Sequence, residues 1–369
     1  MEQDLSEIKF SNILLWMPNW IGDVVLALPS VQALYSRFQE SKISVAVRSP
    51  SHQLLEGHPA IDRVFEIPSG ADVGFWEQTQ FARTLSKNNF DLGVVFPNSF
   101  KSALLLRLVG AKYRLGYSTE LRDGFLTHSV EKDDDAKKLY RVDYYMNILE
   151  PLKIKKMESR FMSAVKIDSR VKAKEILANF NVRHGEFLIA LHPGGSKAPR
   201  RWHAERYGIL CQKLLKEYDA KVIVIADESE RDILDSVTGF CPPEKVFCLT
   251  SLALPEVSAV ISKCNIFIGN DSGMMHIAAM VNTPVVGIFG PGSSDTTGPF
   301  MEKDSYEIVT KNFPCSPCRQ NFFNECKPSA HNKPYCIEDI SVKDVMEAID
   351  RLTKSRGKFL FDSEIIRES

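Results

Sequence analysis

At 369 residues the chain is too long for one ordinary α/β domain and comfortable for two. Its 44% hydrophobic and 25% charged residues are those of a soluble globular protein, and a formal net charge of −1 excludes the overall basic field of a nucleic-acid binder. The polar start, with acids at Glu2, Asp4 and Glu7, lacks the pattern of an export signal, and apolar runs such as 24–28 and 103–106 fall far short of the roughly 18 residues of a membrane helix, so a cytoplasmic protein with reduced thiols is expected.

The first half opens with an apolar strand over 13–17, a turn, and a helical period over 23–38. Strands are expected over 43–47, 63–67 and 91–96, with helices over 75–87, 99–109 and near 135–149. The segment 151–168 is lysine-rich and lacks a clear period, which marks it as a linker. The second half reads as strands over 187–191, 221–225, 245–248, 266–268 and 285–289, with helices over 205–218, 228–238, 255–262 and 272–281. Beyond Leu352 a charged tail is either helical or frayed. Continuous apolar strands alternating with helices imply parallel sheets covered on both faces. The expectation is α/β: two Rossmann-like domains, 1–165 and 166–369, with parallel sheets facing a central cleft. Ligands in such sheets bind at the carboxyl ends of the strands, so the loops that follow strands should carry the chemistry.

The most informative loop is 270–276, Asn-Asp-Ser-Gly-Met-Met-His. It follows a strand and opens a helix, so small residues and first-turn N–H groups create an anion seat that the helix dipole reinforces. The plainer alternative is that Asp271 caps the helix. Capping accounts for Asp271, Ser272 and Gly273 but leaves His276 unexplained. A second loop, with Gly194, Gly195, Lys197, Arg200 and Arg201, combines a glycine pair with cations, as a diphosphate requires. An ordinary glycine turn with exposed cations would look the same. A third, with Asp227 and Glu228, ends another strand. An acid there can take ribose hydroxyls, or simply favour a helix N-terminus.

In the first half, the loop 18–23 has Gly22 as its only glycine, which counts against a dinucleotide-binding oxidoreductase. Asp23 is then either a helix cap or a carboxylate placed as general base. Asn98, Ser99 and Lys101 follow the fourth strand toward the same side, and Lys112, Arg114 and Arg122 add positive charge or form an ordinary solvated surface. Among the eight cysteines, Cys315, Cys318, Cys326 and Cys336 crowd into one segment. Its CxxC start raises a tetrahedral zinc site, but the later spacings are irregular and there is no second CxxC. With Pro314, Pro317 and Pro328, the segment reads as a surface excursion away from the catalytic centre, and no metal or cofactor is expected.

Taken in order, these loops resemble glycosyltransferase family 9, the bacterial lipopolysaccharide heptosyltransferases, over about 12–352. The stretch 18–23 is similar to the family's N-terminal loop ending in Gly-Asp. The stretch 97–103 is similar to an acceptor-side motif of members that add the second heptose. The stretch 193–202 resembles the phosphate loop, 270–276 the nucleotide-sugar loop, and Gly290-Pro291 also fits. The resemblance implies a GT-B fold and metal-independent, inverting transfer from ADP-heptose, bound by the second domain, to a Kdo-lipid A inner-core acceptor, bound by the first. It implies peripheral contact with the inner face of the cytoplasmic membrane. By position it makes Asp23 the general base, with Asn98, Ser99 and Lys101 toward the acceptor. Gly194, Gly195, Lys197, Arg200, Asp271, Ser272, Gly273 and His276 fall around diphosphate and sugar, and Glu228 on the adenosine ribose. Arg200 stands where the family often has lysine, which trades a point charge for a fork. Leu252 stands where some relatives have methionine. The competing readings are another nucleotide-sugar transferase or epimerase, and a non-catalytic nucleotide- or zinc-binding module.

Overall fold

A computed structural model describes residues 4–119, 121–154, 161–162, 165–183, 185–239, 241–318 and 320–356. Much of the expected linker, and the tail beyond 356, lie outside the described residues. The chain divides into two compact units, Met1–Ala164 and Val165–Ser369.

The first unit runs β1 (Asn12–Trp16), α1 (Ile21–Arg37), β2 (Lys42–Arg48), α2 (His52–Leu55), β3 (Arg63–Ile67), α3 (Phe75–Leu85), β4 (Leu92–Val95) and α4 (Phe100–Val109). It continues with β5 (Tyr113–Ser118), β6 (His128–Glu131), α5 (Asp134–Lys138) and α6 (Arg141–Asn147). The second unit runs α7 (Ile167–Asn179), β7 (Leu188–His192), α8 (Ala204–Glu217), β8 (Lys221–Ile225), α9 (Arg231–Thr238), β9 (Val246–Leu249) and α10 (Leu254–Ile261). Then come β10 (Ile266–Asn270), α11 (Gly273–Met280), β11 (Val285–Phe289), α12 (Ser294–Thr297), β12 (Tyr306–Thr310), α13 (Tyr335–Glu338) and α14 (Val342–Arg356).

Among the described residues each unit holds a six-stranded sheet, ordered β3-β2-β1-β4-β5-β6 and β12-β11-β10-β7-β8-β9. Neighbouring strands pair in parallel throughout. Counted within its own unit, the second order is the first reversed. Both are therefore the doubly wound order of dinucleotide-binding folds, and this is a GT-B-like α/β architecture. Each sheet has a switch point, between β1 and β4 in one and β7 and β10 in the other, where helices leave to opposite faces and open a crevice.

Side-chain pattern explains the layering. Every residue of β7, β10 and β11 is buried, as strands covered on both faces require. Helix α8 buries Tyr207, Leu210, Cys211 and Leu214 at helical spacing and leaves its other face wet. Helix α14 packs on β11, β12 and α8 through Val345, Ile349 and Leu352.

Several elements depart from the sequence expectation. Strands β5, β6 and β12 and helix α7 were not anticipated. β5 carries Arg114 and Gly116, and β6 has Val130 as its single apolar residue, so neither shows the continuous apolar run of a central strand. They extend the first sheet beyond β4, with β6 at its edge, because neighbouring strands offer them hydrogen bonds. The expected helix near 135–149 is two helices, α5 and α6, separated where Leu139 and Tyr140 adopt extended ψ angles of 145° and 139°. The helix expected over 228–238 opens with a 3₁₀ turn at Glu228–Glu230 before α9.

The switch point of the second unit is tied by one side chain. Asn270, 1% exposed at the end of β10, donates through Nδ2 to the carbonyls of Pro193 (2.8 Å) and Gly194 (2.9 Å). Its Oδ1 accepts from the Trp202 amide at 2.9 Å and the Tyr207 hydroxyl at 3.1 Å. Asn270→Ala would strand the Pro193 and Gly194 carbonyls and the Trp202 amide and leave the Tyr207 hydroxyl only the His192 carbonyl at 3.4 Å, and unsatisfied buried partners cost about 1–3 kcal/mol each unless water enters. Urea titration should show a loss of at least about 2 kcal/mol, whereas a loss under about 0.5 kcal/mol would show that the tie is dispensable.

Candidate functional site

The loops after β7 and β10 meet at that switch point. Gly195 has φ +144°, a region open to glycine and strained for other residues. A Cβ on Gly194 would lie 2.3 Å from Glu230 Oε2, so any larger residue there would push that carboxylate from its place. Glu230 accepts from the Gly195 amide at 3.2 Å and pairs with Arg201 at 3.3 Å. Arg201 Nε donates to the Gly195 carbonyl at 2.6 Å, which closes the turn. Asp227 and Glu230 also form a reciprocal capping box on the 3₁₀ turn.

Across the crevice Arg200 Nη1 lies 3.3 Å from Asp271 Oδ2, and Asp271 is buried to 8% exposure. Arg200 Nε and Nη2, and Lys197 Nζ, converge on Gln320 Oε1 at 2.9, 2.5 and 3.3 Å. Gln320 belongs to the cysteine-rich segment, so that excursion reaches the cations of the site instead of standing apart from them. The sequence carries no signal for this contact across some 120 residues.

The N-cap of α11 is Ser272, not Asp271, and it makes no side-chain cap hydrogen bond. Ser272 Oγ and His276 Nδ1 are buried without a hydrogen-bond partner among the described residues. Burial alone pushes His276 down to about 4, so its imidazole is neutral near pH 7. Two unpaired polar atoms in the first turns of a helix, where N–H groups have no acceptor within the helix, is the arrangement that a polar ligand completes. Glu228 sits one strand over, at the end of β8, where Oε1 accepts from Ser251 Oγ at 2.5 Å. The structure thus brings Gly194, Gly195, Lys197, Arg200 and Asp271 together. It sets Ser272, Gly273 and His276 on the adjoining turn of α11 and leaves Glu228 at the neighbouring strand ends.

In the first unit, the N-cap of α1 is Trp20, so Asp23 lies inside the first turn and is not the cap. Its Oδ1 accepts from the Tyr145 hydroxyl at 2.8 Å and lies 3.6 Å from Arg141 Nε, while Oδ2 has no partner among the described residues. Burial, and then the Asp23 charge, hold the Tyr145 phenol well above its ordinary value. Tyr145 therefore stays a donor and orients the carboxylate. Neither Tyr145 nor Arg141 was singled out from sequence.

The loop after β4 is braced from below. Asn98 Nδ2 donates to the Tyr144 hydroxyl at 2.6 Å, and Ser99 caps α4 by accepting from the Ser102 amide at 3.2 Å. Exposed Lys101 lies 5.3 Å from the centre of the Phe75 ring. Arg122, allowed above as solvated surface, is fully buried: Nε donates to Tyr117 O at 2.7 Å and Nη1 to Pro97 O at 2.5 Å. Arg114 similarly donates to the carbonyls of Phe125 and Ala111, both at 2.6 Å. Both arginines brace the backbone: Arg122 as a buried guanidinium that needs carbonyls around it, Arg114 from a partly buried position.

All four clustered cysteines line one pocket of about 490 Å³ within their own segment. No three of their sulfurs lie within 4.8 Å of one another, so the tetrahedral thiolate set is not formed. Among the described residues, the set close enough to hold a cation is His203, His331 and Glu338. Glu338 is already paired with Arg206 at 3.1 Å and accepts from Ser329 at 2.8 Å, which makes it the anchor of that segment.

His276 and His58 are both pushed by burial to about 4, against an ordinary 6.5. Below pH 6.5 the unfolded chain takes up protons that the folded chain refuses until about pH 4. Stability is therefore complete above 6.5 and falls as pH drops through that window. His276→Gln should flatten part of this slope in denaturation measured from pH 7 to 4; an unchanged slope would place the proton uptake elsewhere.

Comparison with known proteins agrees with this geometry. Residues 78–327 match the model of glycosyltransferase family 9 (heptosyltransferase), a span that takes in both crevice loops of the second unit but not Asp23. Lipopolysaccharide heptosyltransferase 2 of Escherichia coli is 26% identical over 303 residues, 79% of this chain and 86% of that protein. In fold, the chain is similar to the E. coli ADP-heptose lipopolysaccharide heptosyltransferase II (TM-score 0.76, 22% identity, 94% of this chain and 100% of that one). It is also similar to a family 9 glycosyltransferase from Veillonella parvula (TM-score 0.80, 21% identity, 95% and 98%). With two-thirds of its length matched and two doubly wound units carrying a cationic crevice, the chain belongs to glycosyltransferase family 9, the heptosyltransferases.

Proposed function

We propose that the enzyme transfers heptose, with inversion, from ADP-L-glycero-D-manno-heptose to the heptosyl-Kdo-lipid A inner core of lipopolysaccharide. The observation that carries this reading is the convergence of Lys197 and Arg200 beside Asp271 at the β7/β10 switch point, in a chain of this family. A diphosphate would take those cations and the first-turn N–H groups of α11. Its charge grows as the anomeric bond breaks, so donors already in place lower the barrier, by on the order of 3 kcal/mol each. Ser272 and neutral His276 would meet the sugar side. Glu228, which now accepts from Ser251, would turn to the ribose hydroxyls.

In the first unit Asp23 would take the acceptor's proton on Oδ2 while Tyr145 holds Oδ1. Asn98, Ser99 and Lys101 would face an anionic saccharide. Such an acceptor is anchored in a bilayer, and large apolar side chains stand exposed at the carboxyl ends of this sheet's strands. They are Trp20 (64%) after β1, Phe75 and Trp76 (61%) after β3, Phe100 after β4 and Leu121 (93%) after β5. Aromatic side chains flanked by lysine favour the membrane interface, which supports peripheral contact. No described helix is long and apolar enough to cross a membrane.

Incubation with ADP-heptose and mono-heptosylated Kdo-lipid A should add one heptose to the acceptor, read by mass. Asp23→Asn should keep the melting temperature and ADP affinity but lower turnover by about 10²–10⁴. Near-wild-type turnover would remove Asp23 from the mechanism. For the membrane contact, Phe75→Ser with Trp76→Ser should reduce co-sedimentation with phosphatidylethanolamine–phosphatidylglycerol vesicles without changing ADP affinity. Equal co-sedimentation would count against this edge as the docking face.

A further inference from the structure

The Gln320 amide oxygen accepts from three cationic N–H groups at once: Arg200 Nη2 at 2.5 Å, Arg200 Nε at 2.9 Å and Lys197 Nζ at 3.3 Å. An amide oxygen has two lone pairs and no formal charge, so three N–H donors from two cations oversubscribe it and it offsets none of their charge. Within this cluster Lys197, Arg200 and Arg201 face Asp271 and Glu230, which leaves an excess of one positive charge. A phosphoryl oxygen would satisfy the same donors with charge as well as lone pairs.

The backbone tells the same story. Gln320 has φ +62°, in the left-handed region that side chains other than glycine adopt only when something holds them there. Phe323, three residues on, has φ +64°. Close by, the Cys318 sulfur accepts from the Gln320 amide at 3.3 Å, and Ser316 Oγ donates to the Gly290 carbonyl at 2.8 Å. The segment is thus fastened to the loop after β11, with its amide aimed at the cations.

We infer that Gln320 is a resident occupant of the anion seat, which the donor's diphosphate must displace in order to bind. This rests on the reading that Lys197 and Arg200 take the diphosphate. The device keeps two cations ordered and partly satisfied in the empty enzyme. It also makes occupancy of the donor site move the cysteine-rich segment, because Gln320 loses its partners on exchange. Apparent affinity is then the intrinsic affinity reduced by the fraction of molecules in which Gln320 has let go.

Calorimetric titration of the full chain with ADP, and with adenosine as a probe lacking phosphate, tests this. Gln320→Ala removes the competitor, so ADP should bind about threefold to tenfold more tightly while adenosine is unaffected. Gln320→Glu installs a competing carboxylate, and ADP should bind at least about tenfold more weakly. If Gln320→Ala weakens ADP, the side chain is a donor contact, not a competitor; if it changes nothing, the contact is only structural. Either result overturns the inference. Arg200→Ala separates the underlying reading: it should weaken ADP in every background. If wild type does not bind ADP, or binding ignores Arg200, the donor reading fails and takes this inference with it.

Discussion

The second unit depends on how two strand ends that diverge in the chain are held side by side. At the β7/β10 switch point the helices depart to opposite faces, so no regular ladder continues past the last paired residues. The Asn270 side chain replaces that ladder. It has two donors and one oxygen with two lone pairs, and all four find partners from the glycine loop and the start of α8. No smaller polar side chain could span that set. Because the tie is buried, it is worth more than its parts in water, and it fixes the glycine loop against the first turn of α11.

From that anchor the electrostatics follow. Glu230 and Asp271 each hold one arginine, so the cations are ordered without being cancelled. On the proposed reading, a seat with a small positive excess at a helix N-terminus suits an anion of several oxygens. Gln320 accepts from one edge of the Arg200 guanidinium and from the Lys197 ammonium. The unpaired Ser272 and His276 lie on the same helix end, and burial keeps the imidazole neutral. That places a hydrogen-bonding group, not another charge, next to the seat.

The first unit uses a different device for the same purpose. Its site loops are not glycine-rich; they are propped by buried polar side chains that reach backbone carbonyls. Arg122 holds the loop after β4 through Pro97, and Tyr145 holds Asp23 from α6. One carboxylate oxygen is thereby held by Tyr145, and the other has no partner among the described residues.

Sequence alone determined the alternation of strands and helices, because continuous apolar runs and helical periods report burial locally. Central strands such as β7, β10 and β11 were legible for that reason. The outer strands β5, β6 and β12 were not, since partly buried strands that carry polar residues, or Arg and Gly as in β5, owe their conformation to a neighbour. The loops that bear the site were legible as small residues, acids and cations placed after strands, and so was their likeness to glycosyltransferase family 9. Tertiary structure decided which of those residues meet. It buried Arg122, moved Asp23 and Asp271 off the cap positions, and paired Arg200 with Asp271. It also carried Gln320 across about 120 residues to the cations. Those outcomes depend on crossovers between non-adjacent strands, and nothing in a local window of sequence encodes which strand end will lie beside which.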